Sequence, residues 1–386
     1  MVPTPKALIA EVTHRCPLHC VYCSNPLELQ LRENELAAGE WARVFDEAAK
    51  LGVLQLHLTG GEPLSRPDLV QLIEAGRRAR LYINLITSGV GLTEDRLRQL
   101  VDAGLDHFQL SLQDSDEAMA NEIAGTRAYA LKLRVAEWVR RQPIAFTVNL
   151  VVHRNNLDRL ESLIAFAEQT GTNRLEIANV QYYGWALLNR SALLPTREQL
   201  QKSLAVVEAA RERLGNRLRI EFVMPDYYAR YPKPCMGGWG NNLLLLDPAG
   251  QAMPCHAAAV IPGLTFPNVR EHGLDWIWNS SDCFNKFRGD DWMQEPCRSC
   301  ERKSRDFGGC RCQALLLTGD AERTDPVCTL TPDRQIVDRI LASANDAPVA
   351  RTSSPAQPWI YRIEAPPANP KPGSERSRNL AGISSD

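Results

Sequence analysis

Cys16, Cys20 and Cys23 constrain this chain more than any other feature. They read Cys16-Pro-Leu-His-Cys20-Val-Tyr-Cys23 and follow closely on a strand-like run, Ala7-Leu-Ile-Ala-Glu-Val12. Three thiolates this close can hold three corners of a [4Fe–4S] cube and leave the fourth iron without a protein ligand. A cluster with four cysteines is closed and suits electron transfer. A metal with an open position takes a substrate, the distinction that separates catalytic from structural zinc. Tyr22, beside the last cysteine, adds an aromatic face suited to lie against an adenine. The loop therefore predicts iron that binds a small molecule and does redox chemistry on it. The competing reading is a zinc knuckle with a missing fourth ligand.

The rest of the chain leaves room for such a site. Its 386 residues suffice for a barrel-sized domain and a smaller one. Lys and Arg number 44 against 46 Asp and Glu, so no basic field attracts nucleic acid. No run of roughly eighteen apolar residues is present to span a membrane. Met1-Val-Pro-Thr-Pro-Lys6 lacks an apolar signal core, which predicts no export. Eleven cysteines in such a chain argue for metal ligation over disulfides and for a cytoplasmic location.

Apolar, β-branched runs recur at Leu54–Leu58, Leu81–Ile86, Phe108–Leu112, Ile144–Val152 and Leu175–Ala178. Helical periodicity fills the gaps. Trp41, Val44, Phe45, Ala48 and Leu51 share one helix face. Thr196 and Gln199 form a capping box opening another helix, with Leu200, Leu204 and Val207 on its inner side. With the first strand this makes six β/α units, and such alternation predicts a parallel sheet or barrel. Six units fall short of a closed eight-stranded barrel, so a partial (β/α)6 TIM-like barrel is expected. Barrel sites gather at the carboxyl ends of strands. The cysteine loop and Thr59-Gly60-Gly61-Glu62-Pro63 both fall there.

The cysteine loop, its aromatic residue and the Gly-Gly-Glu together resemble the radical S-adenosylmethionine (SAM) enzymes. The resemblance implies the same partial barrel and a [4Fe–4S] cluster with SAM chelated at the open iron. Cys16, Cys20 and Cys23 would hold the cluster, and Tyr22, Gly60, Gly61 and Glu62 would bind the cofactor. Glycine suits close backbone approach to a ligand. Ser111 and Asn149 are further candidates for SAM's ribose or carboxylate. A one-residue slip in register would turn either to the other face of its strand. Tyr182-Tyr183-Gly184-Trp185 is either a wall of the substrate pocket or ordinary packing, and packing is favoured.

The second half carries the other eight cysteines. Cys235 precedes Gly250 and Cys255, and Cys297, Cys300, Asp306, Cys310 and Cys328 follow as C-x2-C-x5-D-x3-C and a last cysteine. This run resembles the SPASM extension of radical SAM peptide maturases, which holds two auxiliary iron–sulfur clusters. The usual pattern has cysteine where Asp306 stands, and Cys312 is extra. Carried over by position, one auxiliary cluster ([4Fe–4S] or [2Fe–2S]) takes Cys235, Cys255, Cys310 and Cys312. The other takes Cys297, Cys300, Asp306 and Cys328. A carboxylate is a harder donor than a thiolate and changes a cluster's charge. The alternative for Asp306 is a solvated loop residue near Lys303 and Arg305. Cys283 fits no position and reads as a small buried hydrophobe. His19 and His256 are not expected to ligate.

Thr13 to Leu29, Gln181-Tyr-Tyr-Gly-Trp-Ala186, Pro225-Asp-Tyr-Tyr228, Pro296-Cys-Arg-Ser-Cys300 and Gly308-Gly-Cys-Arg-Cys-Gln-Ala314 narrow the likeness. They resemble the radical SAM enzymes of pyrroloquinoline quinone (PQQ) biosynthesis. That resemblance implies a carbon–carbon cross-link between a glutamate and a tyrosine side chain of a ribosomal precursor peptide. SAM cleavage would supply a 5′-deoxyadenosyl radical, and an auxiliary cluster would take up the leftover electron. It implies as partners the precursor peptide, a peptide-binding chaperone protein and a flavodoxin-type electron donor. The alternatives are another SPASM maturase, acting on a sulfatase or another peptide, and a non-enzymatic iron–sulfur or zinc protein. The expected domains are a radical SAM core at 1–220, a cysteine-rich SPASM domain at 221–343 and a tail at 344–386. The tail holds seven prolines with little apolar periodicity, which predicts disorder. Within it, Pro358-Trp-Ile-Tyr-Arg362 is a candidate docking segment.

Overall fold

The computed structural model describes residues 2–346 and 359–363. Among them are strands β1 Ala7–Thr13, β2 Gln55–Gly60, β3 Tyr82–Thr87, β4 His107–Leu112, β5 Ala145–Val152 and β6 Arg174–Asn179. Three more follow, β7 Arg219–Val223, β8 Leu243–Leu246 and β9 Ala252–Met253. They form one sheet in the order β7-β6-β5-β4-β3-β2-β1-β8-β9. Every neighbouring pair is parallel except β8 with β9.

All six expected strands are present in the expected order, which gives the partial barrel. Along β4, Phe108, Leu110 and Leu112 are buried, and His107, Gln109 and Ser111 face the other way. The apolar face packs with the helices between strands, and each such side chain stabilises the fold by about 1.5–3 kcal/mol. The polar face is the inner one. There Ser111 pairs in register with Asn149, and Asn149 with Glu176.

The helices follow their sequence signals. Ala38–Leu51 buries Trp41, Val44, Phe45 and Ala48, and Gly52 closes it in the left-handed region. Arg197–Leu214 opens with the expected capping box between Thr196 and Gln199. Leu200 and Val207 are buried there, but Leu204 is exposed. The inner stripe runs through Ser203 instead, where a small side chain bonds back to Leu200 O.

Three features bear on the expected domain bounds. β7 spans position 220, so the first boundary falls inside a strand paired with β6. β8 pairs with β1, so the cysteine-rich half contributes to the same sheet. Position 343 lies within the helix Arg334–Asp346. Of the tail expected to be disordered, residues 359–363 pack on the cysteine loop, with Trp359 and Arg362 buried. Docking there is on the chain itself. Tail positions 347–358 and 364–386 lie outside the described residues. Among the described residues no helix is long and apolar enough to cross a membrane.

Candidate active site

β1 and β2 are parallel neighbours, so their carboxyl ends bring the cysteine loop beside Gly60-Gly61-Glu62. Gly61 N donates to Thr13 O at 2.6 Å and Glu62 N to Arg15 O at 2.8 Å. A Cβ on Gly60, at φ 127°, would sit 2.2 Å from Thr13 O, and one on Gly61 2.4 Å from Arg15 O. The glycines are therefore required by the cysteine loop's own backbone. This reason is distinct from the close ligand approach expected from the sequence.

Cys16, Cys20 and Cys23 line a cavity of about 390 Å³ together with Tyr22, Gly60, Gly61 and Ser111. Asn149 lies on the same sheet face but is not among the described residues that line it. Glu62 touches its surroundings with both oxygens. Oε1 accepts from Leu64 N and Thr87 Oγ1, and Oε2 from Ser88 N and Ser88 Oγ. Its side chain is thus fully engaged in locking the turn. Burial pushes the Glu62 carboxyl up despite these bonds. The Tyr22 hydroxyl accepts from Gln113 Nε2 at 3.0 Å, and Gln113 Oε1 accepts from the buried Lys132 at 2.6 Å. Burial lowers Lys132 to about 8.

The donor set fits an iron–sulfur cluster. Burial pushes Cys16 up to about 11 and Cys20 to about 12, so metal-free thiols stay protonated. A bound metal cation reverses that preference and deprotonates coordinating thiols. Among the described residues no three His, Cys, Asp or Glu side chains are arranged around a single ion. The three thiols border a shared cavity instead, which suits a larger body.

Seven of the other eight cysteines fall into two groups. Cys235, Cys255, Cys310 and Cys312 meet in one apolar cluster, with Cys255 Sγ 3.8 Å from Cys312 Sγ. Hydrogen bonding among these thiols holds Cys235 and Cys312 well up and Cys255 and Cys310 well down. Four such sulfurs cannot all ionise together without a cation among them. Cys297, Cys300, Asp306 and Cys328 line a second, small cavity. Asp306 is only 7% exposed, so it is no solvated loop residue. It also accepts from Arg302 Nε and Gly308 N, both at 3.3 Å. Cys283 is buried in the main core beside Phe284 and Trp278, as expected of a small hydrophobe.

Of the three aromatic residues at 182–185, Tyr182 and Trp185 are buried. Tyr182 packs on Tyr227 with ring centroids 5.3 Å apart. Tyr183 does something else, placing its hydroxyl 3.0 Å from Cys310 Sγ. His19 Nδ1 bonds Arg362 O, and His256 Nδ1 bonds Glu11 Oε1. Sequence reasoning missed Glu11, whose other oxygen is 3.1 Å from His14 Nε2. This one carboxylate joins the Cys16–Cys23 loop to the Cys255 loop. Burial works to raise Glu11, yet the two histidines hold it down at about 2. A charged residue inside an apolar strand was the available signal. Arg362, which also lines the cavity, was missed because no local pattern marks it.

The Radical SAM superfamily model matches residues 10–167, and the SPASM iron-sulfur cluster-binding domain model matches 235–301. Fold and site define a radical SAM enzyme with a SPASM domain, a class that uses SAM and iron–sulfur clusters. SuiB of Streptococcus suis bound to S-adenosylmethionine superposes with a TM-score of 0.71 at 19% identity, covering 84% of this chain and 77% of the other. Native anSMEcpe with bound AdoMet gives 0.60 at 16%, covering 89% and 100%. Sequence relatives are more specific. A PqqA peptide cyclase of Methylocella silvestris is 52% identical over 364 residues, 94% of this chain and 96% of that protein. Another, of Gluconobacter oxydans, is 56% identical over 329 residues, 85% and 91%. The chain belongs to the PqqA peptide cyclases.

Proposed function

We propose that this enzyme joins a glutamate and a tyrosine side chain of a precursor peptide by a carbon–carbon bond, in PQQ biosynthesis. The observation that carries the reading is the single cavity shared by Cys16, Cys20, Cys23 and the Gly60-Gly61 backbone at the strand ends. A [4Fe–4S] cluster with SAM bound there supplies hydrogen abstraction from an unactivated carbon. Cys16, Cys20 and Cys23 hold that cluster. Tyr22, steadied by Gln113, walls the cavity and would offer its ring to the adenine. Glu62 fixes the turn whose backbone meets SAM, and Ser111 and Asn149 present polar groups on the inner sheet face.

The auxiliary groups take the two further clusters, one on Cys235, Cys255, Cys310 and Cys312, the other on Cys297, Cys300, Asp306 and Cys328. With Cys310 a ligand thiolate, the Tyr183 hydroxyl 3.0 Å away would donate to it, and hydrogen bonds to ligand sulfur are one lever on a cluster's potential. The partners in this reading are the peptide, a peptide-binding chaperone and a flavodoxin-type donor, in the cytoplasm. The neighbouring SuiB has a structure bound to its precursor peptide SuiA, which supports a peptide substrate here. Anaerobic incubation with SAM, reductant and the candidate peptide, followed by mass spectrometry, tests the reading. The expected product has lost one hydrogen from each of the two side chains. An unmodified peptide, or a change elsewhere in it, would overturn the proposal.

A further inference from the structure

Residues 359–363 return to the cysteine loop from the far end of the sequence. Arg362 N donates to His19 O at 3.2 Å, and His19 Nδ1 donates back to Arg362 O at 2.7 Å. Asn189 grips the segment by exchanging bonds with Ile360 N at 2.8 Å and Ile360 O at 2.7 Å. The same amide donates to Val21 O inside the cysteine loop at 2.8 Å. Trp359 packs in the apolar cluster that holds Val21 and Tyr182. The segment is therefore built into the loop rather than laid on its surface.

Its arginine points inward. Arg362 is 2% exposed. Nη2 donates to His14 O and Nη1 to Leu18 O, the carbonyls on either side of Cys16. Nε is buried with no hydrogen-bond partner. A buried donor left unpaired costs about 1–3 kcal/mol, so a native fold keeps one where something else receives it. Arg362 lines the cavity of Cys16, Cys20 and Cys23 and is the one Lys or Arg among its described lining residues.

We propose that Arg362 is a positioning and charge-compensating residue for the SAM cluster, its guanidinium acting on the anionic edge at Cys16 and Cys23. The inference rests on the reading of those cysteines as cluster ligands. A cluster on three thiolates is anionic, and accepting an electron makes it more so. A fixed cation beside it favours the reduced form, since net charge and hydrogen bonds to sulfur set a cluster's potential.

The test is a potentiometric titration of the anaerobic holoenzyme, read by electron paramagnetic resonance. The SAM cluster's signal is identified by its response to added SAM. In Arg362→Gln the cluster should be harder to reduce, with roughly tenfold less of it reduced at a fixed poise, or about 59 mV for a one-electron couple. Arg362→Lys should recover most of that shift, and the auxiliary signals should not move in either variant. Loss of SAM-cluster iron in the Gln variant but not in the Lys variant would also support charge compensation. An unmoved potential in an iron-replete Gln variant would overturn the proposal, including when only SAM affinity falls. Equal shifts, or equal iron loss, in both variants would overturn it too, since packing would then explain them. Persistence of the SAM-responsive signal in Cys16→Ala/Cys20→Ala/Cys23→Ala would instead overturn the underlying ligand reading.

Discussion

Replacing Glu62 by glutamine tests whether its side chain is what holds the turn beside the cysteine loop. Each carboxylate oxygen accepts one backbone N–H, from Leu64 and from Ser88, and one hydroxyl. An amide has one oxygen and one NH2. Whichever way it is placed, one backbone N–H faces another donor in a fully buried site. That stranded donor costs about 1–3 kcal/mol. The charge-assisted bond at the remaining oxygen weakens by about 1 kcal/mol more. The sum, near 3 kcal/mol, corresponds to roughly a hundredfold in a local opening equilibrium. Hydrogen exchange at the Leu64 and Ser88 amides of the anaerobic holoenzyme reads that quantity directly. Exchange should accelerate there by about that factor, with little change in the cysteine-rich half. SAM affinity should fall with it, because the Gly61 and Glu62 backbone rides on the same turn. Unchanged exchange at both amides would refute the reasoning and return Glu62 to the list of side chains free to meet a ligand.

Two other outcomes follow from the same structure. If Asp306 binds iron, Asp306→Ala and Asp306→Cys should both alter the paramagnetic resonance signal of one auxiliary cluster and leave the SAM cluster's alone. Unchanged spectra and full cross-linking would leave Asp306 as a hydrogen-bond partner of Arg302 and Gly308 N only. Glu11, held at about 2 against an ordinary 4.5, contributes about 3 kcal/mol to stability. For a depressed carboxyl this stabilisation is present above pH 4.5 and lost as pH falls toward 2. The advantage of the wild type over Glu11→Gln in urea unfolding should shrink across that window, and a constant difference would refute the ion network.

The legible parts of the fold and site were those written locally. Cys16, Cys20, Cys23 and Gly60-Gly61 each sit within one loop at a strand end, so spacing alone brings them to notice. The six inner strands alternate with amphipathic helices, and period gave both away. β8 is a different case. All four of its leucines are buried, and a short continuous apolar run does not distinguish strand from helix. β7, with charged residues at two of five positions, lacks a clean apolar face. Glu11 and Arg362 were opaque for another reason. Their partners lie far away in sequence, His256 for one and His14, Leu18 and His19 for the other. A proline-rich segment carries no period to announce such a contact. Ser111 shows the middle ground. Its alternating strand marked it as polar and inward or outward, and only the pairing of β4 with β5 fixes which.

The hydrogen bonding of β8 to β1 has a consequence for anyone who would take this enzyme apart. β1 is the strand that ends in the loop of Cys16, Cys20 and Cys23, and β8 covers its flank over Ala7 to Ala10. A fragment cut before Leu243 would bare that flank as a parallel edge of mostly apolar residues, the kind of surface through which chains aggregate. The cysteine-rich half cannot then be deleted, exchanged or appended as a module. Its loss would be felt first in solubility, before any question of electron transfer arises. Chimeras between relatives of this family would be better joined within the loop that follows β9, where the shared sheet is already complete.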